Sequence, residues 1–174
     1  GALAAGAPTV AAAASSFSLD PVAGAVGVLA PGGDIWARIP RYAWQQPVSG
    51  GAVVFESEPI TADMMMMGTA SFDLFLNSPV DDADLEVTLS EVRADGKEMY
   101  VQSGWLRASH RKPGPAATRL WPAQTLQENA WEPLPLNQWT PVRVGTAGFA
   151  HAMRTGSRIR VSIDTPGGVR ADWR

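Results

Sequence analysis

Apolar side chains recur at every second position through much of the chain, and no other feature limits its fold so strongly. Phe72, Leu74 and Leu76 alternate with Ser71, Asp73 and Asn77. Leu85, Val87 and Leu89 alternate with Glu86, Thr88 and Ser90, and Ile159, Val161 and Ile163 with Arg158, Arg160 and Ser162. A period of two puts one set of side chains on one face of a half-buried strand. Arg93-Ala94-Asp95-Gly96 supplies a turn, and Met99 and Val101 carry the return strand of a hairpin. Val53–Phe55 and Pro141–Val144 add two short β-rich runs. No amphipathic helix longer than about three turns fits after Ala52. With 17 glycines and 14 prolines to make turns, the pattern predicts an all-β fold, a β-sandwich of jelly-roll type.

The length of 174 residues suits one domain. Residues 1–16 are Ala-rich and almost uncharged and read as a connector, with the domain over 17–174. From Phe17 to Gly51 prolines and glycines punctuate a loop-like stretch, where Trp36, Tyr42 and Trp44 are expected to pin the loop to the sandwich. Charge is unevenly placed. Glu56 to Glu98 holds eleven acids against Arg93 and Lys97; Trp105 to Arg174 holds ten Lys/Arg against four acids. These regions either face each other as paired strands or form opposite patches for a partner.

A net charge of −3 gives no electrostatic case for nucleic acid. The absence of cysteine excludes disulfides, thiolate catalysis and zinc ribbons. Val10–Ala14 is too short to span a bilayer. No basic residue precedes Arg38, so the N-terminus does not read as a signal peptide; no membrane partner is expected, and the cytoplasm is the favoured compartment.

An α/β-hydrolase nucleophile needs a strained Gly-x-Ser-x-Gly elbow, and neither Ser103 nor Ser157 sits in one. His110 and His151 could each act as a base, or simply sit at a turn or an interface. Asp81, Asp82 and Asp84 could recruit calcium, yet lack the glycine and terminal glutamate of an EF-hand loop. They read equally as a solvated turn or as partners for arginines, with Arg107 or Arg111 pairing Asp82 or Asp84. The run Met64–Met67 is a binding surface, or a strand burying two methionines and exposing two as core filler. Seven tryptophans could stack on sugars or bases, or pack in the core and at an interface. No catalytic residue, metal or cofactor site is assigned.

From Phe17 onward the chain resembles the C-terminal non-catalytic domain of the X-Pro dipeptidyl-peptidase and cocaine esterase (CocE/NonD) family of serine hydrolases. The resemblance is carried in order by several segments. They are Phe17-Ser18-Leu19-Asp20-Pro21, Gln46-Pro47-Val48, Val53 to Ile60 with its Ser57-Glu58-Pro59, and Asp82-Ala83-Asp84-Leu85 with the 93–96 turn. Most specific is Gly104-Trp105-Leu106-Arg107-Ala108-Ser109-His110-Arg111, followed by Phe149-Ala150-His151 and Gly156 to Val161. The resemblance implies a galactose-binding-like jelly roll packed on an α/β-hydrolase domain that carries a Ser-His-Asp triad of its own. It implies a domain clipped at both ends, with sheet edges open to a second copy. The rival reading is a carbohydrate-binding module, which would expose two or three tryptophans on one concave face.

Overall fold

The computed structural model describes residues 1–6, 13–18 and 49–166. Trp36, Tyr42 and Trp44 lie outside the described residues. Nine strands follow in order: β1 Ala2–Leu3, β2 Ala52–Ser57, β3 Met64–Gly68, β4 Ser71–Leu76, β5 Asp84–Val92, β6 Glu98–Arg107, β7 Thr140–Gly145, β8 Phe149–Met153 and β9 Arg158–Asp164. Two single-turn 3₁₀ helices, Ala108–His110 and Glu128–Ala130, lie in the long β6–β7 connection. The fold is all-β, as the alternation demands.

One layer is a five-stranded sheet in the order β1-β2-β9-β5-β6, antiparallel except for the β1–β2 pair. The β5–β6 hairpin closes where expected. Arg93 and Lys97 pair across the turn, and Gly96 takes φ +80°, a conformation that side chains resist. The register slips once, after Leu89, so that Val101 is the extra residue of a bulge.

The other layer is a long two-stranded ribbon. Along it β3 pairs with β8 and β4 with β7. At the junction, Thr69 and Ala70 oppose Thr146, Ala147 and Gly148. The mismatch is bridged rather than left open. Thr146 N donates to Ala70 O at 2.9 Å, and Ala70 N donates to the Thr146 hydroxyl at 3.0 Å. A buried amide that loses its ladder partner must find another acceptor, and the Thr146 side chain supplies it.

The layers face each other through the core. Leu85, Val87, Leu89, Leu106, Val161 and Ile163 of the sheet meet Val142 and Val144 of the ribbon, with Phe72, Leu74, Leu76, Met66 and Phe149 around them. Burying each such side chain is worth ~1.5–3 kcal/mol. The methionine run is a strand, but only Met66 packs into this core. Met64 shares its side of the ribbon yet stands at the strand's first position and stays 45% exposed, so one methionine of the run is partly buried rather than two buried. At one corner the layers touch backbone to backbone, where Gly104 of β6 meets Gly145 of β7.

The uneven charge resolves into pairs between strands and the residues flanking them. Arg143 binds Asp73, Arg154 binds Asp63, and Arg160 spans Glu56 and Glu98. No helix among the described residues is long and apolar enough to cross a membrane.

Candidate functional site

Ser103 lies in the middle of β6, fully buried, its hydroxyl 3.0 Å from that of Thr88 on β5. A flat ladder position gives it nothing of a strained elbow. His110 closes the 3₁₀ turn after β6.

His151 and Ser157 do come together, on a carboxylate. Glu91, at the end of β5, is 1% exposed. Its Oε1 accepts from the Ser157 hydroxyl at 2.6 Å and from Arg154 N at 3.4 Å; its Oε2 is 2.8 Å from His151 Nε2 and 3.9 Å from Arg93 Nε. Burial works to raise the Glu91 carboxyl, but the bonds from Ser157, His151 and the Arg154 amide outweigh it and hold the group below the ordinary glutamate range. A hydrolytic triad runs in a line from serine to histidine to carboxylate, so that the histidine can take the serine proton. Here the carboxylate is the hub, and the serine spends its proton on an anion. That wiring suits a clasp, and it joins the ribbon strand β8 and the β8–β9 turn to the five-stranded sheet. Glu91 escaped the sequence reading, although the signal was present: it occupies the core-facing parity of Leu85, Val87 and Leu89.

The acidic turn and the arginine motif meet as the pairing reading expected. Arg107 donates twice to Asp84, both bonds at 2.8 Å, across the β5–β6 ladder where the two residues are partners. The Arg107 guanidinium holds the Asp84 carboxyl below its usual range. Asp82 instead caps the 3₁₀ turn: its Oδ1 accepts from Ala83 N and Ser109 N, and its Oδ2 from the Ser109 hydroxyl at 2.7 Å. Arg111 turns away from both acids to the Ala108 and Glu132 carbonyls and the Glu132 carboxylate. The donors around Asp82 and Asp84 are thus protein groups. Among the described residues no cluster of three His, Asp or Glu has the geometry to hold a metal.

What stands out on the surface is the outer side of the ribbon, where alternation ought to place polar groups. Met65 and Met67 oppose Ala152 and Ala150, and all four are exposed. Phe75, 72% exposed, opposes Pro141. Asp73 and Arg143 between them neutralise each other at 2.8 Å. The segment 118–122 crosses over the middle of this side. Arg143 donates to the Thr118 and Arg119 carbonyls, Thr69 donates to the Leu120 carbonyl, and the Pro122 ring lies over Gly145. Leu120 and Trp121 ride exposed on that crossing. Trp139, two residues before Pro141, is exposed at the ribbon's far end. Trp105, by contrast, sits opposite Glu86, on the outer side of the other sheet. The exposed tryptophans among the described residues are therefore divided, with Trp121 and Trp139 on the ribbon's outer side and Trp105 on that of the other sheet.

Two facing β layers around one core define a β-sandwich. The sequence says which: residues 7–168 match the X-Pro dipeptidyl-peptidase C-terminal non-catalytic domain, and the chain belongs to that family. No curated protein sequence matches it. Among solved structures it is similar to a CocE/NonD family hydrolase from Staphylococcus aureus, with TM-score 0.61 and 20% identity, over 65% of this chain and 22% of that one. It is similar also to an aminopeptidase from a marine sediment Thaumarchaeota archaeon, with TM-score 0.53 and 18% identity, over 66% of this chain and 18% of that one. An α-amino acid ester hydrolase aligns with TM-score 0.53 and 20% identity, over 66% of this chain and 18% of that one. The chain thus matches only about a fifth of the length of these solved proteins.

Proposed function

We propose that this chain is the non-catalytic sandwich of a serine hydrolase whose active site lies on a separate α/β domain. The sandwich packs on that domain and shapes the entrance through which an ester or amide substrate, including an X-Pro dipeptide, reaches the triad. The observation that carries the reading is the match of residues 7–168 to a family of non-catalytic domains. The spending of His151 and Ser157 on Glu91 supports it, because neither group is set up to activate the other. The purified chain is expected to turn over neither a nitrophenyl ester nor an X-Pro nitroanilide. Turnover that vanishes in Ser103→Ala or Ser157→Ala, with the circular dichroism unchanged, would overturn the reading.

A further inference from the structure

We infer that the outer side of the long ribbon, rather than either outer edge or the outer side of the five-stranded sheet, is the surface on which the hydrolase domain seats. The inference rests on the proposed function and adds to it the docking face. The two outer sides of the sandwich differ in kind. That of the five-stranded sheet carries Glu56, Glu86, Glu98, Arg160 and Asp164, with the Glu86, Glu98 and Asp164 side chains buried. That of the ribbon is apolar at both ends, with the paired Asp73 and Arg143 in its middle and Arg119 on the segment that crosses there.

The exposed area is of the size an interface needs. Phe75, Trp121 and Trp139 are 72%, 54% and 59% exposed. At ~150–250 Å² for a whole aromatic side chain, the three present on the order of 400 Å². That already equals the largest apolar patch of an ordinary monomer, ~300–600 Å². Met65, Met67 and Leu120, exposed by 62%, 80% and 62%, extend it into the range of one domain's share of an interface. Interfaces between domains of one chain run to ~600–1,500 Å².

Shape selects the occupant. The 118–122 segment lies across the ribbon as a ridge topped by Leu120 and Trp121. A two-fold pairing of identical copies presents the same patch from both sides and sets ridge against ridge. A grooved, uncharged partner accommodates it. In the solved relatives the matched part accounts for about a fifth of the chain, which leaves a linked body large enough to be that partner.

Methionine oxidation by peroxide, read by mass spectrometry, tests the assignment. Met65 and Met67 are followed against Met99, which is 37% exposed on β6 of the five-stranded sheet and not on the outer side of the ribbon. Rates are compared between this chain alone and the hydrolase polypeptide that carries it. The expected result is several-fold slower oxidation of Met65 and Met67 in the hydrolase, Met99 unchanged, and recovery of the Met65 rate in Met67→Glu. Protection of Met99 with no protection of Met65 and Met67 overturns the docking face and leaves the proposed function standing. Protection nowhere overturns both. Concentration-dependent protection of Met65 and Met67 in the isolated chain assigns the face to a second copy and likewise overturns the inference.

Discussion

Replacing Gly104 with alanine should be among the most damaging single-methyl changes this domain can suffer. Gly104 lies on the core side of β6, opposite Val87, where the sheet meets the ribbon. A β-carbon there would overlap the carbonyl oxygen of Gly145 and sit 2.8 Å from its carbonyl carbon. Both are backbone atoms held in a ladder, so no side chain can swing aside. Restoring ordinary contact, from 2.8 Å to 3.4 Å, moves the layers apart by at least ~0.6 Å at this corner. A gap of that size forfeits about a quarter of each dispersion contact across it, and a buried aliphatic side chain makes ~40 contacts of ~0.1 kcal/mol. Leu106, Val142 and Val144 are the buried neighbours along the two strands, so the loss is at most ~1 kcal/mol each and ~3 kcal/mol in all, the limit in which every contact crosses the gap. This is the upper end of the usual overpacking cost, ~1–3 kcal/mol. Urea unfolding followed by tryptophan fluorescence reads it. With a slope of ~2 kcal/mol per molar, the midpoint should fall by ~1.5 M. Gly145→Ala is the comparison: its β-carbon would meet the Pro122 ring at 2.9 Å and 3.0 Å, so that the crossing segment, not the spacing of the two layers, has to give. A Gly104→Ala chain that unfolds at the wild-type midpoint with the same slope would refute the close-contact argument.

Two further outcomes follow from the charged groups. Because the Glu91 carboxyl titrates below its ordinary value of 4.5 when folded, its contribution to stability is complete above that pH and is lost as pH falls through the folded value; urea midpoints of Glu91→Gln measured from pH 7 to pH 3 should therefore show a shallower acid decline than wild type, and parallel curves would count against the clasp. Arg160→Met takes the arginine from Glu98, whose side chain is 2% exposed and keeps the Ser90 hydroxyl, and should cost up to ~3–5 kcal/mol in the same assay, whereas Arg107→Met breaks an exposed pair and should shift the midpoint far less; equal shifts would contradict the assigned burial.

The sequence by itself determined the strands in which apolar and polar residues alternate. β4, β5 and β9 could be read from that period, although only β4 keeps its polar side wet while β5 and the end of β9 are buried on both faces, and the 93–96 turn because Gly96 meets a backbone need that few residues can. The Arg107–Asp84 pair was also within reach, since a hairpin fixes which residues face each other. β8 was not, because Phe149–Met153 is apolar on both sides apart from His151 and offers no period to detect. That Met65 and Met67, rather than their neighbours in the run, point outward was equally invisible, whereas the outward Phe75 follows from the alternation of β4. A strand's inner face is defined only by what packs on it. Tertiary structure alone decided the rest. It brought Glu91 to residues some sixty positions away, where the His151 and Ser157 side chains bond to one carboxylate and not to each other. It also set Gly104 against Gly145, from opposite layers. Contacts between elements distant in sequence depend on how the layers are stacked, and a period of two says which face is buried without saying against what.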